Sequence, residues 1–324
     1  MFFQKKKKGH FPMAKPSILF MGTPAFAIPS LQILHDQNYP IVGVVSQPDR
    51  PRGRGLKEVA PPVKILAQEF GLPIFQPEKV RDKSFLETFY QLKPDIIVVV
   101  AFGQILPKEI IEHPPMQCLN IHPSLLPKYR GAAPLNWPII RGETKTGVTI
   151  MLMDEGMDSG DVLTQQETDI GAAETYGDLH DRLAEIGATM LIKTIEQVVA
   201  GTTQRQTQDA SRVTFAPRLK KETGKINWHD NVFNIVNLIR GISPSPAAYT
   251  HLEGQVLKIF AAEGNKNKVS EIPGTIDAVS ATGVHVATAD GYVILKDVQL
   301  AGKKRMLIAD FLRGHHLKPE TILQ

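Results

Sequence analysis

An amide and an imidazole stand two residues apart in this sequence, at Asn120 and His122. If residues 118–122 form a strand, both side chains point to the same face, because strand residues alternate in direction. Two such N–H donors suit a carbonyl oxygen that becomes anionic when a nucleophile attacks the carbonyl carbon. The alternative interpretation is a turn cap beside a surface histidine. Cys118 shares this face, where it is expected to be a small apolar packing group.

A second polar cluster lies downstream, where residues 154–161 read DEGMDSGD. It contains four acids and two glycines, but their spacing does not match an EF-hand calcium loop, which has ligands at alternate positions and a closing glutamate. A tight glycine-bounded turn can instead hold one carboxylate, such as that of Asp158, beside an imidazole, where it assists proton transfer. A solvated acidic turn is the alternative. We expect no metal at this site.

The elements that must position these residues alternate between apolar strands and amphipathic helices. The pattern predicts strands at 17–21, 41–46, 95–101, 118–122, 147–154 and 162–170, and helices at 26–38, 62–70, 84–92 and 179–200. Strands separated by helices imply crossover connections. The predicted fold is therefore α/β, a Rossmann-like, mostly parallel sheet with helices on both faces. In such sheets ligands bind beyond the carboxyl ends of the strands.

The turn after the first predicted strand argues against a dinucleotide site. It reads GTPAF (residues 22–26), whereas a dinucleotide-binding turn needs three glycines at fixed spacing. No Gly-Lys-Ser/Thr phosphate loop occurs elsewhere in the sequence. A dehydrogenase or an ATP-dependent enzyme is therefore not expected.

The C-terminal third differs in composition from the rest. Residues 202–217 are polar and aperiodic, which is typical of a linker. After a helix at 231–241, short strands at 256–261, 274–278, 284–287 and 292–297 predict a small, OB-like β-barrel. Residues 218–324 carry 14 basic and 10 acidic residues, an excess that favours a polyanionic partner. We therefore predict a catalytic domain at 13–201 and a binding domain at 218–324.

The formal net charge of +4 comes from four lysines in residues 1–12. No apolar segment follows them, as one would in a secretory signal, so we interpret residues 1–12 as a leader outside the fold or as an incorrectly assigned start. The single cysteine excludes an internal disulfide framework. The longest apolar run, around residues 96–102, is far below the roughly 20 residues of a membrane helix. We expect a cytoplasmic protein with no membrane partner.

Two runs, NIHPSLLPKYRGAAP (120–134) and TGVTIMLMDEGMDSGD (146–161), resemble the signature of the 10-formyltetrahydrofolate-dependent formyltransferases. The similarity extends from about residue 18 onward. It implies that the family's catalytic trio falls on Asn120, His122 and Asp158. It also implies a folate-binding loop formed by Ser124, Leu125, Leu126 and Pro127.

The reaction that this resemblance implies is transfer of a formyl group from 10-formyltetrahydrofolate, as a co-substrate, to an amine. Asn120 would donate to the anionic oxygen, and a protonated His122 would add a charge-assisted hydrogen bond. Asp158 would help to move a proton from the attacking amine to the leaving folate nitrogen. Neither a covalent enzyme intermediate nor a metal is required.

A basic loop at residues 47–57 (QPDRPRGRGLK) bears on the formyl acceptor. A solvated loop is the usual explanation of such a charge run. The resemblance implies instead that this loop contacts the acceptor stem of an RNA, because arginine suits phosphate clamping. Arg54 is the strongest candidate. The other candidate tRNA contacts are Arg50, Arg52, Lys57, Lys220, Lys303, Lys304 and Arg305.

The expected acceptor is thus the amino group of methionine on initiator tRNA, and the expected enzyme is a monomer that acts in translation initiation. Other acceptors within the same chemistry are glycinamide ribonucleotide and amino sugars. A hydrolase that releases formate from the same folate is a further alternative. An RNA-binding protein with an inactive catalytic half is the alternative from another class.

Overall fold

The computed structural model describes residues 14–52 and 57–324, except for the side chains of Arg52 and Lys57. The predicted leader, residues 1–12, lies outside the described residues. Among the described residues, no helix is long and apolar enough to cross a membrane.

The first of two compact units holds the described residues up to Leu119 together with Ile195–Thr202. Its elements are β1 (Ile18–Gly22), a 3₁₀ turn (Ala25–Ala27), α1 (Ile28–Asp36), β2 (Ile41–Val45), β3 (Arg50–Arg52), β4 (Lys57–Val59), α2 (Pro62–Glu69), β5 (Ile74–Phe75), α3 (Lys83–Leu92), β6 (Ile96–Val100) and α4 (Lys108–Ile111). β1 pairs in parallel with β2 and β6, and β2 pairs in parallel with β5. Every residue of β1 and β6 is buried, because both faces of a parallel sheet are covered.

The sheet continues into the chain segment that carries the predicted site. The elements here are β7 (Gln117–His122), β8 (Arg130–Gly131), α5 (Asn136–Ile140), β9 (Lys145–Leu152), β10 (Val162–Asp169) and α6 (Tyr176–Ala200). The seven strands run in the order β10–β9–β7–β6–β1–β2–β5. β9 and β10 pair antiparallel, so the mostly parallel sheet is mixed at one edge.

The second unit holds Asn120–Thr194 and Thr203–Gln324, and its C-terminal part is an antiparallel β domain. The elements of this part are two 3₁₀ turns (Ala210–Arg212 and Lys221–Gly224), β11 (Phe215–Ala216), α7 (Val232–Gly241), β12 (Ala248–Leu252), β13 (Gln255–Asn265), β14 (Ile276–Ser280), β15 (Gly283–Ala287), β16 (Tyr292–Leu300), β17 (Met306–Leu307) and α8 (Ile308–Gly314). The strand order is β12–β13–β16–β15–β14, with β17 on β16. Trp228, Ile235 and Phe311 belong to its core. The predicted class, a Rossmann-like sheet followed by a β domain, is confirmed.

Helix α5 packs on helix α7 within this second unit. The side-chain amide of Asn136 donates a buried hydrogen bond of 2.8 Å to the carbonyl oxygen of Gly241. Because an unpaired buried carbonyl is costly, this bond favours one arrangement of the two helices. The β domain therefore contacts the segment that follows β7 through the packing of these two helices.

Candidate active site

Strand β7 ends in the two polar residues that the sequence singles out. Asn120 and His122 are only 8% and 4% exposed, because β7 lies between β6 and β9 in the sheet. Within the described part of the chain, no hydrogen bond engages the side-chain amide of Asn120, so its N–H groups can donate to a bound molecule. Burial of Cys118, two residues earlier, raises the pKa of its thiol. This cysteine packs in the strand as a neutral group.

The ring of His122 is fixed by a backbone carbonyl. Its Nε2 lies 3.0 Å from the carbonyl oxygen of Tyr129. Because a carbonyl only accepts, Nε2 carries the hydrogen of this bond, and Nδ1 is left for other partners. The Tyr129 side chain is held in turn by donation from its hydroxyl to Glu143 at 2.7 Å. Burial and this hydrogen bond raise the pKa of Tyr129 to about 12.

Asp158 meets the free nitrogen of this imidazole. Oδ1 of Asp158 lies 3.7 Å from Nδ1 of His122, and both side chains are largely buried. Oδ2 accepts a hydrogen bond of 2.8 Å from the backbone N–H of Gly131. The backbone of Asp158 has φ of 50°, in the left-handed region that non-glycine residues rarely adopt. The structure thus brings His122 and Asp158, predicted from distant stretches, to one place.

The turn around Asp158 is organised by a neighbouring acid, Asp154. Both carboxylate oxygens of Asp154 accept from the Ser159 hydroxyl, at 2.9 and 2.8 Å, and Oδ1 also accepts from the N–H of Gly156. A Cβ at Gly160 would lie 1.9 Å from the carbonyl oxygen of Leu152, so only glycine fits there. Among the described residues, no cluster of three or more metal-ligating side chains occurs.

The predicted folate loop is held rigidly at its backbone. The Thr149 hydroxyl donates to the carbonyl of Ser124 at 2.6 Å, and the Gln165 amide donates to the carbonyl of Leu126 at 2.9 Å. The side chain of Leu126 is buried against Met151. Leu125, Leu126 and Pro127 line one side of a cavity of about 410 Å³.

Several residues that organise this site were missed in the sequence because they lie in the predicted linker. The carbonyl of Thr214 accepts from the N–H of Arg130, and its hydroxyl accepts from the N–H of Tyr129, both at 2.9 Å. Ala216 on β11 pairs with Gly131 on β8. The only sequence signal was the short β-prone run Val213–Phe215, too brief to be assigned as a strand. Thr214 and Ala216 therefore support the backbone to which His122 and Asp158 are bonded.

The predicted tRNA contacts lie in different local environments. Arg50 forms an exposed ion pair with Glu78 at 2.6 Å. Arg305 pairs with Asp297 at 2.7 Å, so its charge is already balanced. The backbones of Arg52 and Lys57 pair within the hairpin β3–β4, and Arg54 lies outside the described residues. Lys220, Lys303 and Lys304 are exposed.

Comparison with known proteins identifies the family. A family model described as formyl transferase matches residues 15–195, and a second, formyl transferase C-terminal domain, matches residues 218–316. A methionyl-tRNA formyltransferase from Syntrophus aciditrophicus is 54% identical over 96% of this chain and 100% of its own length. The chain belongs to the methionyl-tRNA formyltransferase family. It is accordingly a formyltransferase, an enzyme of one-carbon transfer.

Solved structures share the fold of this methionyl-tRNA formyltransferase family member. A methionyl-tRNA formyltransferase from Clostridium thermocellum matches with a TM-score of 0.57 at 19% identity, over 88% of this chain and 98% of that one. The sugar 3N-formyl transferase WlaRD, solved in the presence of dTDP and 5-N-formyl-THF, matches with a TM-score of 0.66 at 20% identity, over 90% and 99%. At these identities the likeness concerns the fold alone.

Proposed function

We propose that this chain transfers the formyl group of 10-formyltetrahydrofolate to the α-amino group of methionyl initiator tRNA, for the initiation of translation. The observation that carries the mechanism is the distance of 3.7 Å between Nδ1 of His122 and Oδ1 of Asp158. His122 lies on the same strand as Asn120. The 54% identity to a named methionyl-tRNA formyltransferase supports the acceptor. The formyl-folate reported with the sugar formyl transferase WlaRD supports a folate donor.

The transfer exchanges one carbon–nitrogen bond for another. The acceptor nitrogen forms a bond to the formyl carbon, the bond from that carbon to the folate nitrogen breaks, and one proton passes from the acceptor to that folate nitrogen. Asn120 donates its amide hydrogens to the formyl oxygen, which becomes anionic during the attack. A preorganised donor of this kind contributes a factor of about 10²–10³ to the rate.

His122 and Asp158 handle the proton. Because Nε2 of His122 is hydrogen-bonded to the carbonyl oxygen of Tyr129, we assign the proton transfer to Nδ1. Nδ1 accepts the proton from the attacking amine, donates a charge-assisted hydrogen bond to the anionic formyl oxygen while the imidazole is protonated, and returns the proton to the leaving nitrogen. The carboxylate of Asp158 faces the imidazolium while it carries that proton, and opposite charges stabilise each other strongly in a buried site. General acid–base catalysis of this kind is worth about 10²–10⁴ in rate.

The surrounding residues fit a folate donor. The free amide of Asn120 matches the oxygen of a formamide, which only accepts hydrogen bonds. Leu125 and Pro127 offer partly exposed apolar surface, whereas Ser124 and Leu126 are buried and their backbone is fixed by Thr149. We propose that this loop binds part of the folate. The step needs no metal, because the only charges that develop are those on one oxygen and one proton carrier.

The tRNA contacts and the domain limits are part of the same proposal. We assign residues 13–201 to catalysis, 202–217 to the connection and 218–324 to tRNA binding, in a monomer that acts in the cytoplasm. The proposed contacts are Arg50, Arg52, Arg54, Lys57, Lys220, Lys303, Lys304 and Arg305. Among those with described side chains, the lysines are the strongest, because the guanidinium groups of Arg50 and Arg305 are paired with acids.

The proposal is tested by offering the protein radiolabelled 10-formyltetrahydrofolate with methionyl initiator tRNA, and in separate reactions with glycinamide ribonucleotide or a nucleotide amino sugar. We expect label only on the tRNA-bound methionine. Label on either small acceptor alone would overturn the acceptor assignment. Release of formate without any acceptor would indicate a hydrolase instead.

A further inference from the structure

The side-chain amide of Gln208 is bonded to the backbone that carries Asp158. Its Nε2 donates to the carbonyl oxygen of Asp158 and to that of Gly160, both at 2.8 Å. Gln208 lies in the connecting segment, fifty residues from Asp158 in the sequence. The two bonds use both hydrogens of the amide and span the tight turn at the site.

Arg130 fixes the orientation of this amide. Its Nε and Nη2 donate to Oε1 of Gln208 at 3.1 and 2.7 Å. Because a guanidinium only donates and a carbonyl only accepts, the oxygen of Gln208 must face Arg130 and its nitrogen must face the turn. The amide therefore has one orientation, and its partly buried position keeps it there.

These bonds close a ring around Asp158. Gly131, which follows Arg130, donates its N–H to Oδ2 of Asp158, while Arg130 reaches the carbonyl of the same residue through Gln208. Asp158 is thus held at its carboxylate and at its backbone by two adjacent residues. A non-glycine residue at φ of 50° persists only where its surroundings hold it, because that backbone conformation is strained.

We propose that Gln208 is a positioning residue for formyl transfer. It keeps the turn at Asp158 and Gly160 in the one conformation that directs Oδ1 of Asp158 at Nδ1 of His122. The inference rests on the proposed function, and it makes the segment that connects the two family domains a structural part of the active site. It does not depend on which amine accepts the formyl group.

The test compares Gln208→Ala and Gln208→Glu with the wild-type chain. Gln208→Glu keeps the shape and the bonds from Arg130 but places an oxygen against two carbonyls. Both variants are expected to lower kcat by about 10²-fold, the usual result of misplacing a catalytic group by about 1 Å, with KM for both substrates unchanged. Gln204→Ala is the matched control, because it is an exposed glutamine in the same segment. It should keep the wild-type kcat.

A second measurement separates positioning from folding. In an Asp158→Asn background, adding Gln208→Ala should cause no further loss of kcat, because residues that act as a unit are not additive. An equal loss in both backgrounds, a wild-type kcat in Gln208→Ala, or full activity in Gln208→Glu would overturn the inference. Failure of the proposed function is seen separately, as a wild-type chain that does not formylate methionyl-tRNA at all.

Discussion

The backbone N–H of Gly131 donates a hydrogen bond of 2.8 Å to Oδ2 of Asp158, which leaves Oδ1 of that carboxylate facing His122. His122 is itself bonded to the carbonyl of Tyr129, two residues before Gly131. One short stretch of backbone therefore sets the positions of both the proton carrier and its carboxylate. The chemistry depends on this stretch as much as on the side chains themselves.

Replacing Gly131 is expected to damage both stability and turnover. Its φ is 114°, and a Cβ would lie 3.0 Å from the carbonyl oxygen of Ala216. Gly131→Ala should lower the free energy of unfolding by about 1–3 kcal/mol and lower kcat because the N–H moves away from Asp158. Gly201→Ala is the control, since its φ is also positive but nothing lies near its Cβ. Denaturant unfolding and steady-state kinetics measure both effects; an unchanged kcat in Gly131→Ala would contradict this account.

Charge reversal at the exposed lysines of the β domain should weaken RNA binding. Lys303→Glu and Lys304→Glu are each expected to raise Kd for methionyl-tRNA and to lower the slope of log K against log salt by about 1, as loss of one phosphate contact does. Lys93→Glu makes the same charge change on an exposed residue of the first unit. If it alters the slope as much as Lys303→Glu does, the lysines of the β domain have no specific role.

The buried thiol of Cys118 predicts a pH dependence of stability. Burial raises its pKa above the ordinary 9.0, so the unfolded chain loses this proton first as pH rises. The free energy of unfolding should therefore be fully retained below pH 9.0 and fall above it. In Cys118→Ala this fall should be smaller.

The Cys118 thiol of the native protein should also resist alkylation by iodoacetamide at pH 8. Rapid labelling without unfolding would show that β7 is not buried as described.

Much of the fold could be predicted because its patterns are strong. The run IIVVV of β6 is apolar throughout and buried throughout, as expected of a central parallel strand. Helix α6 spans Tyr176–Ala200 close to its predicted limits. Helix α5 was not predicted, since Pro138 lies within its five residues. Strand β12 was not predicted either. Its residues alternate between buried and half-buried, but the strand is only five residues long, which is too short for a clear pattern.

The site was predictable only in part, because side-chain type is visible in the sequence and backbone support is not. The clustering of His122 with Asp158 followed from two distinctive motifs. The roles of Tyr129 and Gly131 depend on backbone atoms, which every residue carries and no pattern marks. The polar segment that contains Gln208 has the composition of a linker, yet its side-chain bonds give it a fixed place beside Asp158. The predicted tRNA contacts stay predictions.

The most direct test of the account is the single-turnover rate of formyl transfer by Asp158→Asn at saturating substrates. Asparagine tolerates a positive φ and can still accept from Gly131, so the melting temperature should be unchanged. Without the negative charge opposite Nδ1 of His122, the rate should fall by about 10²-fold or more. A folded Asp158→Asn protein that transfers formyl at the wild-type rate would show that this carboxylate does not serve the proton transfer.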